Sequence, residues 1–172
     1  MKSILIFLIF ASFIFANPNK APDFTLKDPY NNEFSLSMFK GKTIILNFFK
    51  IYCGGKIAPE TEKLINELNK ICKEFCKGKF CKDGDLTIIS ITVASCPTTD
   101  LKEWVEKKGI KWFIGNDLDD YNLDIIKSYA SHLKYLKDPC LIFINKNSEI
   151  VYKSNYISAE EIKKKLKELK LK

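Results

Sequence analysis

Few side chains in this 172-residue chain can do chemistry: six cysteines, one histidine and a surplus of lysine over acid, with no arginine at all. Cys53 stands apart by its setting. The stretch Thr43–Pro59 reads TIILNFFKIYCGGKIAP, an apolar run rich in β-branched and aromatic residues that predicts a strand buried on both faces. Cys53 ends it, followed by Gly54-Gly55 and the start of a helical pattern. A cysteine at such a hand-over is accessible, and the unpaired amides and dipole of a helix N-terminus favour its thiolate. Lys56 reads either as an ammonium that lowers the thiol pKa further or as an ordinary surface residue.

A second group is Cys72-x-x-x-Cys76-x-x-x-x-Cys81. Three thiolates with no histidine nearby make an incomplete zinc set. In an oxidising compartment a loop-closing disulfide is expected instead, Cys76–Cys81 or Cys72–Cys81, because a regular helix holds Cys72 and Cys76 awkwardly for a bridge. One of the three is then left over, to pair elsewhere, stay a thiol or link two chains. Cys96 and Cys140 each adjoin an apolar run and read on their own as small buried hydrophobes. His132, on a helical pattern, reads as a helix-surface residue.

The net charge of +7 rests on lysine alone. A site that clamps phosphate, carboxylate or peroxide oxygens with a guanidinium fork is therefore excluded. Nucleic acid is not an expected partner, since base-edge contacts lean on arginine. The N-terminus carries Lys2, an apolar segment Ile4–Phe15 and then Ala16 before a polar, Pro-containing stretch. About a dozen apolar residues suit a signal-peptide core and fall short of the roughly 20 a membrane span needs. Residues 1–16 are thus expected to be a signal peptide, or an uncleaved anchor, giving a periplasmic or secreted chain. Residues 17–172 form one domain, and no cofactor is implied.

The elements that must position these cysteines follow in order. Phe24–Lys27 and Glu33–Leu36 flank the turn Pro29–Asn32 and predict a β-hairpin. After the Cys53 strand, Pro59 opens a helix with Leu64, Leu68, Ile71 and Phe75 at helical spacing, running to about Cys76. Leu86–Val93 predicts a second buried strand leading to Cys96, and a helix bearing Leu101, Trp104 and Val105 ends at Gly109. Lys111–Ile114 is a short extended piece, and Tyr121 to about Tyr135 reads as one helix. Asp138-Pro139-Cys140 introduces a strand hairpin, Leu141–Ile144 with Ile150–Lys153, and Ser158–Glu161 is a capping box opening the last helix.

This succession, with the words APDFTLKD, SLSMFKGKTIILNFF ending at Cys53, and Pro139-Cys140-Leu141-Ile142-Phe143-Ile144-Asn145, resembles the thioredoxin-fold redoxins. The closer likeness is to the TlpA/ResA-like, AhpC/TSA-redoxin branch, and it covers nearly all of the mature chain. The resemblance implies an α/β thioredoxin-like fold, a central mixed sheet flanked by helices with an N-terminal β-hairpin extension. It implies a thiol–disulfide oxidoreductase whose partners are client protein thiols and disulfides and an external thiol reductant or oxidant. Pro139 would be the cis-proline beside the reactive sulfur. One word departs from the family: its Cys-x-x-Cys is here Cys53-Gly54-Gly55-Lys56, with about two residues fewer before Pro59, and Asp138 before the proline is unusual. In a thioredoxin-like strand order Cys53, Cys96 and Cys140 converge on one rim, so Cys96 or Cys140 is the expected resolving cysteine.

Two other activities occur on the same fold. A peroxiredoxin-like peroxidase needs Pro-x-x-x-Thr-x-x-Cys, where this chain has Leu46 and Lys50, and needs an arginine. A Sco-like copper-assembly role pairs two cysteines with a distant histidine, here His132, but Ile57 stands where the second cysteine would be. A non-catalytic binding scaffold is the remaining alternative.

Overall fold

Thr43–Ile51 forms strand β3, and all but Lys50 of its residues are buried, as a run without polar alternation requires. In this computed structural model the described residues are 19–76, 84–94, 101–117, 123–134 and 136–169. β4 (Leu86–Ala94) runs parallel to β3, in register from Thr43 against Leu86 to Ile51 against Ala94. β6 (Cys140–Ile144) runs antiparallel on the other side, with Phe48 opposite Cys140. β5 (Phe113–Asn116) and β7 (Ile150–Ser154) complete a five-stranded mixed sheet in the order β5-β4-β3-β6-β7. The expected extended piece near Lys111–Ile114 is thus an edge strand displaced two residues onward.

Strand alternation divides the core. One face carries Ile45, Phe49 and Ile51 with Trp112, packed against Leu64, Ile65, Leu68 and Ile71 of α1 (Pro59–Phe75) and Ile162 and Leu166 of the final helix (Ala159–Glu168). The other face carries Ile44, Leu46 and Phe48 under the hairpin of β1 (Thr25–Lys27) and β2 (Glu33–Ser35). Each fully buried Ile or Leu contributes about 1.5–3 kcal/mol on transfer from water, so both faces hold β3 in place. α2 is Leu101–Lys108, α3 Asp124–Ser128 and α4 Ala130–Leu133; the Ala159–Glu168 helix is α5.

α5 starts as its capping box predicts: the Ser158 side chain accepts from the Glu161 amide, and the Ser158 amide donates to Glu161 Oε2 at 2.8 Å. The single helix expected across Tyr121 to Tyr135 is instead two short ones broken at Tyr129, whose φ of −92° and ψ of 1° leave the helical range. The cause is tertiary. Tyr129 is fully buried and its hydroxyl donates to the Pro22 carbonyl at 2.8 Å, which anchors the ring beneath the chain entering β1.

Candidate functional site

The Cys53 loop differs from a plain strand-to-helix junction. Its core is a turn of its own, Cys53–Gly55, closed where the Tyr52 amide donates to the Lys56 carbonyl at 2.7 Å and the Gly55 amide to the Tyr52 carbonyl at 3.0 Å. Gly54 and Gly55 both have positive φ, +73° and +71°. That conformation is open to glycine and breaks a right-handed helix. α1 consequently begins only at Pro59, with Ala58 as its cap. The helix thus opens where Pro59 predicts, six residues after Cys53, which lies outside its first turn. What the loop does provide is access: Cys53 is an exposed thiol, between exposed Tyr52 and, past the glycines, exposed Lys56.

Trp104 of α2 supports this turn from below. Its indole N–H donates to the Gly55 carbonyl at 2.9 Å, and its ring packs on Phe49 of β3 with centroids 5.8 Å apart. A Cβ on Gly55 would stand 3.0 Å from Trp104 Cδ1, whereas one on Gly54 would meet nothing within 4 Å. Trp104 is buried, as its place on an apolar helix face predicts, but nothing in its spacing reveals the contact with the loop.

The Asp138–Pro139 peptide is cis, as the resemblance implied for Pro139, and Pro139 is buried at the start of β6. Asp138 Oδ1 accepts from the Lys50 amide at 3.3 Å and from the Thr61 hydroxyl at 3.4 Å. Its Oδ2 is buried without a hydrogen-bond partner among the described residues. Burial raises the Asp138 carboxyl above its ordinary range, partly opposed by the Lys50 amide, the Thr61 hydroxyl and the Lys50 charge. Thr61 is a site residue that the sequence reading missed. It falls on the helix face of Leu64, Ile65 and Leu68 and is fully buried, so a hydroxyl in an apolar register was the available signal.

Cys140 is buried, on the opposite sheet face from Phe49 and Ile51, in the cluster of Phe48 and Tyr129. Its Sγ lies 3.9 Å from the Phe48 carbonyl, five positions before Cys53, and burial together with the Asp138 charge pushes its thiol up to about 12. Cys72 is a half-buried thiol on α1 whose pKa burial raises, and Cys76, at the helix C-cap, is disulfide-bonded. Cys81, Cys96 and residues 1–16, for which the sequence sets expectations, lie outside the described residues. His132 sits on α4 with its ring 6.1 Å from that of Tyr129; burial first, then the Lys153 charge, lower its pKa. Among the described residues no three His, Cys, Asp or Glu side chains gather into a metal-holding set, and no helix is long and apolar enough to cross a membrane.

This mixed sheet with a cis-proline ahead of β6 and a cysteine beyond β3 defines a thioredoxin-like protein. Structures of that fold superpose over most of the chain. A thiol:disulfide interchange protein from Chlorobium tepidum is 18% identical with a TM-score of 0.71, over 90% of this chain and 97% of that one. A thiol-disulfide oxidoreductase from Bacteroides fragilis is 22% identical with a TM-score of 0.65, over 87% and 98%. A thiol:disulfide interchange protein from Bacteroides sp. is 22% identical with a TM-score of 0.65, over 89% and 90%. The model of the AhpC/TSA family matches residues 18–153, and the chain belongs to that family. Comparison with curated protein sequences finds no match.

Proposed function

We propose that this protein is an exported thiol–disulfide oxidoreductase of the redoxin type, with Cys53 as the attacking thiolate. The observation that carries the reading is the exposed Cys53 thiol, held by a closed turn at the end of the central strand of a thioredoxin-like sheet. The Cys53 thiolate attacks one sulfur of a client disulfide; a mixed disulfide forms and the displaced client thiolate takes up a proton. A second thiol then attacks the Cys53 sulfur and releases the other client sulfur, so two electrons have passed to the client. Cys96 is the proposed second thiol. β3 and β4 end level, with Ile51 against Ala94, and Cys53 and Cys96 each follow two residues later in sequence. Cys140 is the weaker choice, because a thiol that ionises near pH 12 is a poor nucleophile at neutral pH. The N-terminal segment, residues 1–16, serves as the export signal or anchor in this reading.

The test is disulfide reduction by the mature chain with an external dithiol as electron source, comparing wild type with Cys53→Ser and Cys96→Ser. Loss of turnover in Cys53→Ser, and accumulation of a client mixed disulfide in Cys96→Ser, are expected. Turnover that survives Cys53→Ser refutes the reading, and thiol-dependent peroxide consumption without disulfide reduction would replace it with a peroxidase.

A further inference from the structure

The Asp138 carboxyl is fixed between the two roots of the Cys53 loop. It accepts from Lys50, where β3 is about to end, and from Thr61 in the first turn of α1, so one group ties both ends of the segment that carries Cys53. Its second oxygen is buried and finds no hydrogen-bond donor among the described residues. A half-satisfied carboxyl in such a place is costly. The charged and titratable groups that face it are Lys50 from β3 and the Cys140 thiol from β6.

We propose that Asp138 is a positioning residue of the Cys53 site: it ties the loop at both ends, and its charge governs the pH at which Cys53 ionises. The proposal rests on Cys53 being the working thiol. Three residues of extended chain reach at most about 11 Å, so the Cys53 backbone stays within about that distance of the Lys50 amide that Asp138 holds. That is comparable to the screening length of about 8–10 Å in physiological salt, and the intervening space is partly protein. An ionised Asp138 opposes the thiolate; a protonated one does not. Burial favours the protonated acid, so in this proposal Asp138 loses its proton at a higher pH than an ordinary aspartate, and the thiol feels that step as a separate titration.

The experiment is alkylation of Cys53 by iodoacetamide in the full chain, from mildly acidic to alkaline pH, with the Cys53 peptide quantified by mass spectrometry. Wild type is expected to show two inflections. Asp138→Asn keeps a side-chain oxygen for the Lys50 amide and the Thr61 hydroxyl but removes the charge. It should lose the lower inflection and react about tenfold faster between that inflection and the thiol pKa, the effect of one pKa unit, while the two rates converge at lower pH where wild-type Asp138 is protonated. Thr61→Val keeps the carboxyl and removes a donor that stabilises its ionised form, so it should move the lower inflection to higher pH. Profiles that superimpose, or rates raised by one common factor at every pH as a loosened loop would give, overturn the proposal. Because alkylation needs no client or reductant, absence of disulfide turnover would sink the functional reading alone, while the pH profile judges Asp138.

Discussion

The two glycines after Cys53 offer a controlled experiment, because their backbones are alike and their surroundings are not. Gly54 and Gly55 have φ of +73° and +71°, and an alanine at either pays the left-handed penalty of about 1–2 kcal/mol. Either substitution also stiffens the unfolded chain and regains about 0.4–1 kcal/mol, equally at both sites. The packing differs. At Gly54 the new methyl meets nothing within 4 Å, but at Gly55 it lies 3.0 Å from Trp104 Cδ1, closer than the roughly 3.5–4.0 Å of ordinary carbon contact. Trp104 has little room to retreat: it is 5% exposed, packed at a tilt on Phe49 and bonded to the very carbonyl of Gly55. Overpacking of this kind costs about 1–3 kcal/mol. Gly54→Ala should therefore destabilise by about 0–1.5 kcal/mol, and Gly55→Ala by about 1–4.5 kcal/mol. Urea unfolding followed by circular dichroism reads the difference, and a thermal scan should separate the two variants by several degrees, at about 2–4 °C per kcal/mol for a chain of this size. Equal stabilities would refute the contact between Trp104 and the turn.

Other consequences are as direct. With its thiol pushed up to about 12, Cys140 should label at least a hundredfold more slowly than Cys53 in the native protein near neutral pH, an order of magnitude that follows from thiolate fraction alone. Comparable labelling would contradict its burial. Asp117 accepts from the Ile125 and Ile126 amides, yet burial raises its carboxyl above the ordinary 3.8. Its folded-state pKa thus exceeds its unfolded one, so its stabilising contribution is complete below the unfolded value and is lost as pH rises through the folded value. The stability gap between wild type and Asp117→Asn should therefore shift between about pH 4 and about pH 7, against the wild type as pH rises; a constant gap would show that Asp117 does not titrate differently on folding. Ser158→Ala removes the α5 cap and should cost about 1 kcal/mol in the same unfolding assay.

The fold was legible wherever one element's pattern had a single physical solution. The unbroken apolar run of β3 demanded cover on both faces, and the alternation around Pro29–Asn32 and the Ser158–Glu161 box specified the hairpin and the last helix start. The resemblance identified the family and the cis bond at Pro139. Tyr129 was not legible as a helix break, because its local sequence is helical and the pull comes from Pro22, 107 residues away. The same holds for the site. Cys53 and Asp138 were nameable from residue type and place, but Trp104 under Gly55, and Thr61 on Asp138, join segments 49 and 77 positions apart. Periodicity shows that such side chains face inward and is silent on which carbonyl or carboxyl they meet.

That distinction changes what the proposed reactivity of Cys53 would rest on. A cysteine on the first turn of a helix owes its low pKa to the amides and dipole behind it. Here the helix begins six residues after Cys53, beyond two left-handed glycines, so Cys53 lies outside its first turn. On the proposal above, two kinds of charge act on the thiolate and oppose one another: the exposed lysines 50 and 56 favour it, while Asp138 opposes it when ionised. Exposed ammonium groups act through water and are screened by salt, whereas a carboxyl set into the roots of the loop is screened far less. The buried charge therefore has the greater leverage per unit, although the lysines outnumber it. It follows that salt should weaken the contribution of the lysines and leave that of Asp138 largely intact, raising the apparent pKa of Cys53 in wild type and by a similar amount in Asp138→Asn. A salt response confined to the wild type would mean that the lysines act through Asp138 and not on the sulfur.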